Sequence, residues 1–144
     1  MNVSEAMAAR RSFRNFLDTP VPNEVLAQLL RDASRAPSGG NLQPWRIYVI
    51  NDVAMVKFLS HASTYSGPEM PEYVVYPPSL KGPYRSSRFK CGEDMYALLG
   101  IPRDDKPARY AHLDRNFIFF GAPAALFVYV DRIMGPPQWS DLGM

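Results

Sequence analysis

Proline placement constrains this chain more than any other feature. Fourteen prolines punctuate its 144 residues, and five of them fall between residues 66 and 84. A proline fixes φ at about −65° and donates no backbone hydrogen bond, so it closes helices and is kept out of central strands. Regular structure is therefore confined to the intervals. Residues 66–84, with "YPPSLKGPY" inside, read as an irregular excursion. No interval holds an apolar run approaching the length of a membrane span, and the N-terminus lacks the apolar core of a secretory signal. A chain of this length suits one domain, which buries roughly 68–70% of its unfolded surface.

The intervals can be read in order. Ser4, followed by Glu5, caps a short first helix running to about Arg10. "DTPVP" breaks the pattern. In "NEVLAQLLRDASRA", Leu26, Leu29, Leu30 and Ala33 fall at helical spacing on one face, so this stretch is an amphipathic helix ended by Pro37. "WRIYVI" alternates and is rich in aromatic and β-branched residues, as a strand is. Asp52 caps a helix through about Ser60. "EDMYALLG" reads as a short helix stopped by Gly100 and Pro102, and a helix around "HLDRNFIFF" follows. "AALFVYV" is a continuous apolar run, expected of a strand buried on both faces. Pro136 and Pro137 open one further helix. Helices and strands mixed in this way point to an α+β or α/β sandwich.

Composition narrows the function. Apolar residues make up 47% and charged residues 21%, with a net charge of +2, a globular composition and not a disordered one. Residues 1–50 carry six Lys/Arg against four Asp/Glu, an excess too small for a protein built to neutralise many nucleic-acid phosphates. The single cysteine, Cys91, forms no intramolecular disulfide and suits a reducing cytoplasm. Arg88 and Lys90 beside it would favour a reactive thiolate, but a structural or exposed cysteine is the simpler reading. His61 and His112 stand without partners at metal-ligand spacing and read as ordinary histidines. No Gly-x-Gly-x-x-Gly follows a strand, and Gly39-Gly40 lacks the Lys-Ser/Thr pair of a phosphate-binding P-loop.

Two segments remain. "RRSFR", residues 10–14, sets three guanidinium groups and the Ser12 hydroxyl within five positions, a combination suited to a phosphate. By itself it would be a solvated basic patch. "RAPSGGNLQPWRIYVI", residues 35–50, changes that balance. Asn41 and Gln43 each offer a donor and an acceptor able to read an amide-like edge, and Gly39 and Gly40 let backbone approach a flat ligand. Together the two suit a phosphorylated planar heterocycle.

These residues carry a resemblance. The "RRS-x-R" cluster, "PVP" before a helix, and "APSGGNLQPW" before a strand occur in the order and spacing of the nitroreductase family of FMN-dependent flavoproteins. "FFGAPAALFVYVDR" with "QWSDLGM" is similar to a later segment of that family, where a central strand leads into the long core helix. The resemblance implies an α/β/α sandwich forming an intertwined homodimer with FMN at the interface. Carried over, Arg10, Arg11 and Ser12 contact the phosphate and ribityl chain, and Arg14 sits near the pyrimidine edge of the isoalloxazine. Pro37, Ser38, Asn41 and Gln43 come from the other subunit's loop. The implied chemistry is ping-pong: NAD(P)H gives hydride to the flavin, and a nitroaromatic or quinone then takes two electrons. The flavin carries the reaction, so no catalytic side chain is expected.

Family members extend beyond the counterpart of "DLGM", completing the core helix and adding basic residues near the phosphate. The sequence is thus expected to be the N-terminal portion, residues 1–144, of a single nitroreductase-like domain incomplete at its C-terminus. Alone it is expected to leave the faces carrying Leu26, Leu29, Leu30 and residues 124–130 uncovered, and to aggregate or bind FMN weakly. A flavin-binding or partner-binding module without turnover is the alternative to an oxidoreductase. A small nucleic-acid-binding protein is disfavoured by the charge, and nothing points to a membrane partner.

Overall fold

The computed structural model describes residues 2–67 and 74–144. Two compact units form within the chain, Met1–Ser63 with Ile118–Met144, and Thr64–Phe117.

In the first unit, α1 (Val3–Ala9) opens on a reciprocal cap. The Asn2 side chain accepts the Glu5 N–H at 2.9 Å, and the Glu5 carboxylate accepts the Asn2 N–H at 2.8 Å. The cap is therefore Asn2, two positions before the expected Ser4. Asparagine satisfies an orphan helix donor as well as serine does, and Glu5 stands three residues beyond it, as the capping box requires. Helix α2 (Asn23–Ala33) starts on Pro22 and stops at Ser34, ahead of Pro37. A residue preceding proline is pushed out of the helical region, so the helix closes before the proline itself.

Strand β1 (Arg46–Asn51) pairs antiparallel with β2 (Ala124–Tyr129), Tyr48 lying opposite Phe127 and Ile47 opposite Val128. The fold is α+β, and the described sheet has two strands. One face presents Phe127, which meets Phe58 of α3 (Asp52–Thr64) at 5.3 Å and Phe119 at 5.8 Å between ring centroids. The other face presents Ile47, Leu126 and Val128, which with Leu30 and Ala33 of α2 and Leu142 of α6 (Pro136–Gly143) line a cavity of about 120 Å³. The first face thus packs on α3 and the second on α2 and α6, and among the described residues no further strand joins the sheet. Leu126 and Val128 remain 45% and 44% exposed, so the expectation of a strand buried on both faces is corrected. Leu26 is buried, whereas Leu29 on the same helix is exposed.

Left-handed residues stand where β1 ends and just before β2 begins. Asp52, expected as a helix cap, has φ +44° at the turn from β1 into α3, and the helix runs past Ser60 to Thr64. The Asn51 side chain donates to Asn23 Oδ1 at 2.8 Å, tying the end of β1 to the start of α2. Phe119, Phe120 and Gly121 follow one another at φ +50°, +55° and +80°. Only glycine takes this region freely, and strain of this kind costs of order 1–3 kcal/mol for each bulky residue.

The second unit holds α4 (Gly82–Leu98) and α5 (Lys106–Asp114). Helix α4 begins eleven residues before the expected "EDMYALLG", with Pro83 in its first turn. "GPYRSSRFKCG" shows no apolar stripe at helical spacing, so periodicity gives no warning of the helix. Its end falls as expected, with Gly100 at φ +67° just beyond Leu99. The helix expected around "HLDRNFIFF" is instead the end of α5, closing at Asp114, and a 3₁₀ stretch, Arg115–Gly121, broken by the left-handed residues. Arg109 donates from both Nη atoms to the Glu93 carboxylate at 2.7 and 3.1 Å, and from Nε to the Pro102 carbonyl at 3.1 Å. Its guanidinium lies 4.1 Å from the Tyr96 ring centroid, and buried His112 meets Tyr96 edge-on at 5.9 Å. Residues 66, 67 and 74–81 contain no helix or strand, as expected; residues 68–73 of the proline-rich stretch lie outside the described residues.

Candidate cofactor site

The segment after α1 carries the first group of expected residues. Arg10 is the helix's C-terminal cap residue at ψ +131°, which turns the chain into the extended stretch that follows. Arg10 Nη1 donates to Ser12 Oγ at 3.2 Å. Arg11 Nη1 donates to the Ala8 and Arg10 carbonyls at 2.7 and 2.9 Å. Arg14 Nη1 reaches the Ser12 carbonyl at 3.4 Å, and its Cζ lies 5.8 Å from the Phe120 ring centroid. All three arginines are exposed, and the oxygens they meet are neutral. Among the described residues none of the three pairs with a carboxylate. Each guanidinium keeps most of its five donors unspent, which is the chemistry an anion requires.

The second group sits between α2 and β1. Ser38 Oγ accepts the Gln43 N–H at 2.9 Å, and Gln43 Nε2 donates to Asn41 Oδ1 at 3.2 Å. These bonds fold residues 38–43 over a single 3₁₀ turn, Gly39–Asn41, in which Gly40 and Asn41 have φ +59° and +57°. Glycine is needed at 40 for that backbone angle. A Cβ there would meet no atom of this chain within 4 Å, so no close packing within the chain demands it. Pro37 is exposed beside this turn.

The loop is moored from a distance. The Gly39 N–H donates to both carboxylate oxygens of Asp141, each at 3.3 Å. Asp141 lies on α6, 102 residues away in sequence. Sequence reasoning missed Asp141, and also Phe120, because neither carries a local signal of its distant partner. The structure draws Arg10, Arg11, Ser12 and Arg14 into one cluster and Ser38, Asn41 and Gln43 into another. Among the described residues no hydrogen bond joins the two clusters. Beside the first cluster, Phe13, Phe16 and Leu17 line an apolar groove of about 570 Å³ with Leu26, Leu29 and Ala122–Leu126.

Known proteins resemble this chain along most of its length. The nitrobenzene nitroreductase of Ectopseudomonas oleovorans is 37% identical over 134 residues, covering 90% of this chain and 59% of its own length. The 4-nitrobenzoate reductase of Pseudomonas putida is 33% identical, over 96% of this chain and 61% of its own. Among solved structures, the FMN- and NADPH-dependent nitroreductase NfnB of Sphingopyxis sp. strain HMH superposes with a TM-score of 0.91 at 47% identity, over 99% of this chain and 66% of that one. The chain thus spans about three fifths of the length of the curated relatives it matches. The sequence model of the nitroreductase family matches residues 7–141. Both residue clusters, the sheet and Asp141 fall inside that span, and the chain belongs to the nitroreductase family.

Proposed function

We propose that this chain carries the FMN-binding part of an NAD(P)H-dependent oxidoreductase that acts on nitroaromatic or quinone-type acceptors. The observation that carries the proposal is the arginine segment, with three exposed guanidiniums in five residues and only neutral oxygens as described partners. Arg10, Arg11 and Ser12 hold the phosphate and ribityl chain, to which the guanidiniums offer charge-assisted, bidentate bonds. Arg14 lies against the pyrimidine edge, where its positive charge favours the electron-rich form of the ring. The loop residues Pro37, Ser38, Asn41 and Gln43 reach the cofactor of a second subunit in a homodimer. The bond of Gly39 to Asp141 sets the loop's position. Held by these residues, FMN would supply hydride chemistry between NAD(P)H and the acceptor, in ping-pong order.

Residues 1–144 would then belong to one nitroreductase-like domain that works in the cytoplasm. The nitrobenzene and 4-nitrobenzoate reductases among the relatives, and the FMN and NADPH dependence of NfnB, support the cofactor and the acceptor class.

Titration of the protein with FMN and with riboflavin, which lacks the phosphate, tests the clamp. Arg10→Ala is expected to weaken FMN about ten- to a hundredfold, the equivalent of roughly 1.5–3 kcal/mol for a hydrogen bond to a charged group, and to leave riboflavin nearly unchanged. Equal losses for the two ligands would remove Arg10 from the phosphate.

A further inference from the structure

The left-handed turn at residues 119–121 places two successive bulky residues at positive φ and sends their rings to different places. Phe119 joins the cluster with Phe58 and Phe127, at 5.4 and 5.8 Å. Phe120, the next residue, brings its ring to 5.8 Å from the Arg14 guanidinium. A backbone at φ +50° and then +55° is an outlier for bulky residues, and such conformations persist only where the surroundings over-determine them. Here one side of the turn is locked by aromatic packing, so its strain fixes the direction of the other. The Ala122 N–H donates to the Phe119 carbonyl at 3.1 Å and closes the turn into β2.

We infer that Phe120 is a positioning residue for Arg14, a deepening that rests on the reading of Arg14 at the flavin edge. Among the described residues Arg14 makes a single hydrogen bond, a long one of 3.4 Å to the Ser12 carbonyl. An arginine so loosely tied would sample many rotamers. An aromatic face within about 6 Å attracts a guanidinium through the ring quadrupole and narrows that sampling. The ring carries no lone-pair acceptor, so it does not satisfy the guanidinium donors as an oxygen would, and they stay available to a ligand while the group is held. Phe119, Phe120 and Arg14 all belong to the unit that includes the loop and the sheet. The turn thereby links the core of that unit to the orientation of a cofactor-facing charge.

The experiment combines Phe120→Gly, Phe120→Tyr, Arg14→Gln and the Phe120→Gly/Arg14→Gln double variant. Glycine adopts φ +55° without strain, so Phe120→Gly removes the ring while relieving the backbone, and Phe120→Tyr keeps a ring. In FMN-free protein, the Arg14 δ-protons are expected to show an upfield ring-current shift by NMR. That shift should vanish in Phe120→Gly and persist in Phe120→Tyr. In FMN-loaded protein, Phe120→Gly should lower the affinity for reduced relative to oxidised flavin about two- to fivefold, read as a drop in midpoint potential. The drop should disappear in the Arg14→Gln background. A potential that responds to Arg14→Gln but not to Phe120→Gly would overturn the positioning role. So would an Arg14 signal indifferent to both Phe120 variants. A potential indifferent to Arg14→Gln would instead reject the flavin-edge reading of Arg14, and the NMR shift would still decide whether Phe120 orients it.

Discussion

Two sets of arginines in this molecule have opposite surroundings. In the first unit, Arg10, Arg11 and Arg14 are exposed and, among the described residues, meet backbone carbonyls, a hydroxyl and a ring but no carboxylate. In the second, Arg109 grips Glu93 with both Nη atoms, donates its Nε to a carbonyl and lies on Tyr96. The Arg109 side chain is 14% exposed and that of Glu93 32%. A guanidinium with all its edges spent on its own chain is structural, bridging α4, the Pro102 turn and α5. One whose donors remain unspent is available to something outside the chain. Residue type alone does not separate these roles, but the inventory of partners does.

The largest difference should appear in stability. Arg109→Ala strands the Glu93 carboxylate and removes the bond to Pro102 and the stack on Tyr96 together, so a clear drop in melting temperature is expected. Arg10→Ala and Arg11→Ala remove exposed bonds to neutral oxygens and should leave the melting temperature nearly unchanged. Differential scanning calorimetry on the three variants decides the matter. A larger loss from Arg10→Ala than from Arg109→Ala would reverse the assignment of roles.

Acid should sharpen the contrast. The hydrogen bonds from Arg109 hold the Glu93 carboxyl below its ordinary value of 4.5, against the opposing effect of partial burial. A carboxyl with a depressed folded-state pKa contributes stability that is complete above the unfolded value and is lost as pH falls through the folded one. Wild-type stability should therefore carry a Glu93-dependent component that fades below pH of about 4.5. In Glu93→Gln that component should be missing, so the melting temperatures of the two proteins converge toward acid. A gap between them that stays constant from neutral pH to pH ~3 would show that the pair is not linked to Glu93 ionisation.

How far these roles could be read from the sequence depends on how local their signals are. "RRSFR" and "APSGGNLQPW" are contiguous, and their composition alone suggested an anion and an amide-reading loop. Helix α2 was legible because Leu26, Leu30 and Ala33 repeat at its period, and β1 because "RIYVI" alternates aromatic and branched residues. The Glu93–Arg109 pair spans 16 positions and the Gly39–Asp141 bond 102, distances at which neither propensity nor periodicity speaks. Helix α4 was under-read because Gly82 and Pro83 look like loop residues, although proline is well placed in a helix's first turn. The left-handed Phe119–Phe120 pair was unreadable because a run of phenylalanines argues for regular structure. Tertiary packing of Phe119 on Phe58 and Phe127 overrides that preference.

Salt separates the two kinds of arginine by a smaller amount. Screening acts over about 8 Å at physiological ionic strength and about 3 Å at 1 M, and it weakens exposed charge pairs far more than partly buried ones. FMN affinity should therefore decline from low to high salt, riboflavin affinity should not, and the preference for FMN should narrow. The melting-temperature difference between wild type and Arg109→Ala should hold across the same range. An FMN preference independent of salt would mean that the phosphate does not rest on the exposed arginines.

The smallest effect is expected at Lys90 and Asp94, and it tests whether contact distance or burial governs these pairs. Lys90 Nζ lies 2.5 Å from Asp94 Oδ2 on α4, shorter than either Arg109–Glu93 contact. The hydrogen bond to Asp94 pushes the ammonium above its ordinary value, so at neutral pH the charge is fully present. Both side chains are nevertheless more than half exposed, at 75% and 59%, and water competes for each. A long flexible lysine also loses rotamer freedom in holding that geometry, which offsets most of the attraction. Lys90→Ala should shift the melting temperature by no more than the scatter between repeat scans, and raising the salt should not change that result. If Lys90→Ala instead destabilised the protein as much as Arg109→Ala, proximity of charges would be setting stability in this fold. The distinction between spent and unspent arginine donors would then lose its basis.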